Sequence, residues 1–218
     1  MDTVRRMKDT IQAGIRPAYC IETPRLVLRC WNPADAPLLK EAVDGSVEHL
    51  RPWMPWAADD PQPVENRIEL IRVWRSQFDL GEQFVYGVFD RAETMVLGGT
   101  GLHTRVGPHG MEIGYWIRVS HINRGYATEV AAALTTVAFR VHGVDRVEIH
   151  CDPANTRSAA VPAKLGYTHE ATLRRRIHWP DGGLIDMMIW TIFAETCPSS
   201  PAAAVPITAF DAAGRVIG

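Results

Sequence analysis

The run Arg124-Gly125-Tyr126-Ala127-Thr128 has the residue types of an anion-binding turn. It follows an apolar stretch and opens the most regular helical pattern in the chain. A helix N-terminus carries unpaired N–H groups and a partial positive charge, and both attract phosphate oxygens. Gly125 permits close backbone approach, Ala127 keeps the next helical position small, Arg124 adds a cation and Thr128 a hydroxyl donor. The same residues also suit an ordinary helix start, and local features leave both readings open.

Other positions invite a chemical reading too. Glu112 lies in the otherwise apolar stretch Met111 to Val119, where a carboxylate is costly without a partner or a task. In a strand it shares a face with Gly114 and Trp116, opposite Ile113, Tyr115 and Ile117. His150 projects with Glu148, either towards a cleft or into a structural role. Asn155 and Ser158 stand three apart at a helix start, where Asn155 is a good N-cap whatever else it does. The proline-rich run His49 to Trp56 holds Trp53 and Trp56, which could wall a cleft or pack the loop onto the core. His103 and His109 lack metal-ligand spacing, so no metal is expected. Gly99-Thr100-Gly101 begins a dinucleotide fingerprint that Thr104 breaks. A phosphate-binding Gly-Lys-Ser/Thr and a G-x-S-x-G elbow are both missing.

The elements that must position these residues follow from periodicity. Leu26, Leu28 and Cys30 alternate with Val27 and Arg29 as a first strand. Helices are expected from Asn32 towards Val43 and from Val64 to Leu80. Strands are expected over Phe84 to Phe89, Met95 to His103, Met111 to Val119 and Arg146 to Cys151. The helix Ala127 to His142 shows one apolar stripe, with Gly143 as its left-handed stop. A shorter helix, Thr156 to Leu165, precedes strands at Tyr167 to Arg176 and Leu184 to Phe193. This order predicts a mixed sheet with a βαβ-like centre, not a doubly wound fold. Residues 1–20 read as an arm or short helix, 21–196 as one domain, and 197–218, rich in Pro, Ala and Ser, as a tail.

With 218 residues, 46% of them hydrophobic, the chain can bury a core. A net charge of -2 gives no reason to expect nucleic acid or an anionic membrane as partner. Arg174, Arg175 and Arg176 form a local basic cluster, read as a solvated strand end or a binding patch. Four cysteines without CxxC spacing suggest reduced thiols, and no apolar run is long enough to span a bilayer; a cytoplasmic location is expected.

Taken together, Asn123-Arg124-Gly125-Tyr126-Ala127-Thr128-Glu129, Asp152-Pro153-Ala154-Asn155, Ser158 and Lys164-Leu165-Gly166-Tyr167 resemble the GNAT acyltransferases, most of all their RimJ/RimL-type branch. Pro24-Arg25-Leu26-Val27-Leu28-Arg29 and Glu112-Ile113-Gly114-Tyr115-Trp116 are similar to that branch as well. The likeness covers about Thr23 to Thr196 and departs at Ile122, where the family has Gln or Arg, and at Pro162, where many members carry a tyrosine acid.

The resemblance implies an α/β (α+β) fold: a mixed, mostly antiparallel sheet flanked by helices, its central strands splayed by a β-bulge. It implies acyl-coenzyme A as cosubstrate, acetyl by default and succinyl as second candidate. The acceptor would be an amine of a protein N-terminus, a small molecule or a drug, attacked directly in a ternary complex by a chain that self-associates. The pyrophosphate would lie on residues 124–128 and the pantetheine on the backbone of Ile117 to Val119 and on Asn155. Glu112 would activate the amine, Ser158 would donate to the thiolate in place of the missing tyrosine, and Trp53, Trp56 and His103 would face the substrate. Arg51, His103, Arg174 or Arg176 could meet a succinyl carboxylate. The rival reading is a coenzyme A-binding module with little turnover; a nucleotide-dependent oxidoreductase is a third.

Overall fold

The structure, a computed structural model, describes residues 17–218. Most of the expected arm, residues 1–16, therefore lies outside the described residues. Ten strands form one sheet: β1 (Cys20–Glu22), β2 (Leu26–Cys30), β3 (Gln83–Asp90), β4 (Val96–His103), β5 (Gly110–Ile117), β6 (Arg146–Cys151), β7 (Thr168–His178), β8 (Leu184–Phe193), β9 (Thr208–Phe210) and β10 (Val216–Ile217). Their order is β10-β9-β1-β2-β3-β4-β5-β6-β8-β7. Helices α1 (Ala36–Asp44), α2 (Val47–Leu50), α3 (Val64–Asp79), α4 (Tyr126–Arg140) and α5 (Thr156–Leu165) complete the frame.

The alternation read in β2 divides the core. Leu26, Leu28 and Cys30 pack in the cluster that holds α4, while Val27 packs with Trp31, Leu39 and Ile71 from the side of α1 and α3. The sheet is covered on both faces, which buries β2, β3 and β4 almost throughout.

The parallel pair β5–β6 is the feature that matters for function. It is hydrogen-bonded over three rungs only, Gly110↔Arg146, Met111↔Val147 and Glu112↔Glu148. Beyond Glu112 the strands part. The expected β-bulge is not the cause: β4 and β5 keep unbroken register from His103↔Glu112 to Gly98↔Ile117, and the irregularity between β3 and β4, opposite Val88/Phe89, puts its extra residue, Leu97, on β4. The splay arises because each strand stays with its outer neighbour, β5 with β4 and β6 with β8 along its whole length.

Two further expectations are corrected. Residues 197–218 are not a loose tail: Thr208–Phe210 pairs with β1, and Ala202 and Ala209 join the core beside Val205 and Ile207. The helix at 126–140 is accordingly not striped. Every residue from Glu129 to Ala138 is buried, because the C-terminal segment covers the side turned away from the sheet.

His142, just after α4, packs on Phe84 at 4.5 Å between ring centroids, and its Nε2 has no partner among the described residues. Burial pushes its pKa down to about 4. The unfolded chain binds a proton near pH 6.5 and the folded one does not, so stability is complete above about pH 6.5 and declines towards pH 4, by about 3 kcal/mol from this group. Urea midpoints between pH 7 and 4.5 should show the decline, and His142→Phe should flatten part of it.

Candidate active site

The splay opens into a cavity of about 600 Å³, within the usual range for a small-molecule site. Tyr115, Trp116 and Ile117 of β5 form one wall, residues 125–128 of α4 another, and Asn155 and Ser158 of α5 a third; His49, Leu50, Trp53 and Met54 close it from the acceptor loop. Arg118 N–H donates to the Leu97 carbonyl at 2.9 Å, so by ladder alternation the backbone groups of Tyr115 and Ile117 point away from β4 and into the splay. Among the described residues they have no backbone partner on that side, so they can hydrogen-bond an extended arm laid between the strands.

The turn into α4 is left-handed. Gly125 has φ 78° and Asn123 φ 60°. Sterics alone do not demand glycine at 125, since a Cβ there would meet only Arg25 Nη2 at 3.5 Å; the backbone conformation does. A clamp holds the turn in place. Glu129, buried in the first turn of α4, accepts from Thr23 Oγ1 (2.6 Å), Arg25 N–H (3.1 Å) and Arg25 Nε (2.6 Å). Arg25 Nη1 then donates to the Arg124 carbonyl at 2.8 Å, and the guanidinium lies 4.7 Å from the Tyr126 ring centroid. The sequence motifs contain Arg25 and Glu129 but do not by themselves assign them this work. The signal was there: Glu129 is the one acid inside an otherwise apolar helical pattern.

At the other wall Asn155 Oδ1 accepts from Ser158 N–H at 3.1 Å, so Asn155 caps α5 and lines the cavity at once. Pro162 sits inside α5 and lacks the N–H that would bond the Ser158 carbonyl. Tyr115 Oη donates there instead, at 3.1 Å, and lies 3.2 Å from Ser158 Oγ. Burial raises the Tyr115 pKa above its ordinary value, against the Ser158 hydrogen bond, so the hydroxyl keeps its proton at working pH. Tyr115 was not among the expected site residues; the proline at 162 implied an orphan carbonyl at 158 and so a donor from elsewhere.

Of the expected residues, the cavity gathers Ile117, Gly125, Tyr126, Ala127, Thr128, Asn155, Ser158 and Trp53. It does not gather five others. The Arg124 guanidinium folds back to the Ser120 carbonyl (3.2 Å), and Arg157 and Lys164 bring positive charge to the cavity wall instead. Val119 N–H is taken by Ser46 Oγ at 3.1 Å. His103 is bound to Gln83 Oε1 at 2.8 Å, and burial, then Arg105, lower its pKa to about 4, so it offers no cation to an acyl carboxylate at neutral pH. Trp56 lines a separate cavity.

Glu112 stands at the last rung before the splay but does not reach the cavity wall. Its two oxygens accept from Arg105 Nε (2.7 Å) and Nη2 (2.5 Å), and His150 Nδ1 is 3.6 Å away. Burial alone would raise its pKa; the hydrogen bonds and charge of Arg105, with His150 and His103, outweigh that and leave it below the ordinary carboxylate value. A carboxylate so engaged is a poor proton acceptor. His150 also bonds Glu148 Oε2 (2.7 Å), while Arg146 Nε donates to Glu148 Oε1 (2.8 Å), so His150 is the bridge of this charged group. His49, by contrast, is part of the cavity wall, and burial, then Arg157, lower its pKa; it is a neutral imidazole at pH 7. Among the described residues no three His, Cys, Asp or Glu side chains are placed to hold a metal, and no helix is long and apolar enough to cross a membrane.

The fold has counterparts in known proteins. The structure of Mycobacterium smegmatis RimJ in complex with CoA-disulfide superposes with a TM-score of 0.75 at 25% identity, covering 85% of this chain and 90% of that one. The [Ribosomal protein uS5]-alanine N-acetyltransferase of Escherichia coli (strain K12) is 26% identical over 159 residues, 71% of this chain and 80% of its own. The uncharacterized N-acetyltransferase YoaA of Bacillus subtilis (strain 168) is 24% identical over 173 residues, 79% of this chain and 95% of its own. The family model described as Acetyltransferase (GNAT) domain matches residues 25–168. That span runs from the arginine of the clamp through both walls of the splay, and the chain belongs to the GNAT acetyltransferase family.

Proposed function

We propose that this protein transfers the acetyl group of acetyl-coenzyme A to the α-amine of a polypeptide. The observation that carries the reading is the splay itself, where unpaired strand backbone, the N-terminus of α4 and Ser158 face one cavity. The α4 turn holds the pyrophosphate, Tyr115 and Ile117 backbone the pantetheine, and Ser158 Oγ the sulfur. The amine nitrogen attacks the thioester carbonyl carbon; the C–N bond forms, the C–S bond breaks, and the thiolate leaves against the Ser158 hydroxyl. The amine proton passes to His49, and Glu112 keeps the base of the splay in order instead of taking that proton.

The acceptor class follows from proton affinity. A lysine amine has a pKa of about 10.4 and an α-amine about 7.7–8.0, so a weak imidazole base suits the second far better. A relative named as an alanine N-acetyltransferase of ribosomal protein uS5 supports a polypeptide acceptor. Acetyl is favoured over succinyl because His103, one of the cations considered for a succinyl carboxylate, is neutral, and Arg51 is bound to Glu48 and the Asp60 carbonyl.

Thiol release from acetyl- and succinyl-coenzyme A, measured with an α-amine peptide, an Nα-blocked lysine peptide and small amines, tests the reading. The α-amine peptide with acetyl-coenzyme A should be fastest. Coenzyme binding without release on any amine would overturn it in favour of a binding module, and faster release on lysine or small amines would overturn the acceptor class.

A further inference from the structure

The edge hairpin reaches past the strand it rests on. β8 pairs with β6 from Phe193 to Met188, which stands opposite Cys151, the last residue of β6. Residues 184–187, with their partners on β7, overhang that end. The ladder is irregular in the overhang. Leu173 faces Met187 and Ile177 faces Ile185, so Arg174, Arg175 and Arg176 share the single opposite residue Asp186. Ala171, Leu173 and Ile177 are each partly covered, and strict alternation would turn residue 175 to the same side. The bulge turns it out instead. Arg175 takes a left-handed φ of 54°, Asp186 Oδ1 accepts its N–H at 2.8 Å, and all three arginines are exposed.

Among the described residues Arg157, Arg174, Arg175 and Arg176 form no ion pair. Asp186 offsets one charge of the bulge, and Asp181, at the hairpin tip, holds the Gly183 N–H. Arg157 continues the positive charge inward. It is exposed in the first turn of α5, lines the coenzyme cavity, and lies close enough to His49 for its charge to act on that imidazole. Of the described residues that wall the cavity, none is Asp or Glu. A cationic acceptor finds no counter-charge there, whereas carboxylates carried behind the acceptor amine meet cations at the cavity wall and again on the overhang. The two groups of arginines are within reach of one short peptide. Ser158, next to Arg157, lies against the Cys151 thiol. From Cys151 the bulge is two strand spacings across and two residues along, about 12 Å in a regular sheet. An extended chain advances about 3.3–3.6 Å per residue, so roughly four residues cover that span.

We infer, on the basis of the α-amine acceptor proposed above, that the protein selects polypeptide termini with Asp or Glu close behind the acceptor amine. A carboxylate at position two or three meets Arg157, and those at positions four to six meet Arg174 and Arg176 on the bulge. Guanidinium forks match carboxylates in geometry as well as in charge. Exposed pairs of this kind act on encounter and affinity and little on the chemical step, so the selectivity lies in KM.

Peptides that all begin with alanine test this by kcat/KM for thiol release from acetyl-coenzyme A. One carries Asp at positions two and three, a second Glu at four to six, a third both, a fourth Asn and Gln throughout, and a fifth Lys throughout. The fully acidic peptide should exceed the amide peptide roughly tenfold at low ionic strength, as two or three exposed ion pairs would give, and the advantage should shrink as salt is raised. Arg157→Gln should erase the benefit of Asp at two and three, and the double variant Arg174→Gln/Arg176→Gln that of Glu at four to six. Equal kcat/KM across the wild-type series, or a Lys peptide faster than the acidic one, overturns the inference and leaves α-amine transfer standing. An Arg157→Gln variant with a raised KM for acetyl-coenzyme A and an unchanged acid-to-amide ratio would assign Arg157 to the coenzyme and overturn its part. If no peptide reacts, the functional reading falls, and calorimetry on the coenzyme A-loaded protein judges the surface alone. Binding of the acidic peptide that the arginine variants abolish would sustain an acidic-peptide surface, and no binding would overturn it.

Discussion

Replacing Glu129 with alanine should lower the unfolding free energy by about 3 kcal/mol and weaken coenzyme A binding roughly tenfold. Glu129 accepts three hydrogen bonds from residues 23 and 25, far away in sequence. Its removal leaves the Arg25 N–H unpaired and the Thr23 hydroxyl with only its long 3.4 Å contact to the Leu26 carbonyl, at about 1–3 kcal/mol for each weakened or lost buried partner. The ion pair adds little to this sum, because the Arg25 side chain is 47% exposed and screened by water. The coenzyme effect has a different origin. With Arg25 released, nothing ties the Arg124 carbonyl, and the left-handed turn at Gly125 loses its brace. Urea denaturation with and without coenzyme A separates the two effects. Glu129→Gln, which keeps an acceptor for Thr23, should recover part of the stability. An unchanged coenzyme affinity in Glu129→Ala would show that the turn holds its shape without the clamp.

Ser158→Ala should cut kcat on the order of a hundredfold while changing the affinity for coenzyme A little, the range expected for one donor to a developing charge. Tyr115→Phe should cut kcat by less, roughly tenfold, because Tyr115 holds Ser158 without meeting the sulfur, and should cost about 1 kcal/mol of stability by orphaning the Ser158 carbonyl. Since both changes act through one hydroxyl, the double variant should be no slower than Ser158→Ala alone. Pre-steady-state thiol release gives the chemical step directly. A Ser158→Ala rate equal to wild type would remove Ser158 from the leaving-group role, and fully additive losses would give Tyr115 an independent one.

Much of this site was legible in the sequence because its parts are local. The turn at 124–128 and the cap at Asn155 are each set by a few adjacent residues, and both lie where their spacing placed them. What escaped was long-range pairing. Nothing near Glu112 announces that Arg105 will neutralise it across a hairpin, and a lone carboxylate in an apolar strand reads equally as base or as anchor. The clamp on Glu129 and the Tyr115–Ser158 contact likewise join segments that periodicity treats separately. Composition misled once. The Pro-, Ala- and Ser-rich end beyond Cys197 looks like a tail because small residues make weak patterns, yet small residues are what fit against a helix already lined with alanines.

That last packing also sets how the molecule comes apart. The strand at 208–210 pairs with the first strand described, and the same stretch packs in the core with the helix whose N-terminus opens onto the cavity. Detaching residues 201–210 alone would uncover apolar surface on a helix buried from Glu129 to Ala138, so this segment melts together with the domain and not ahead of it.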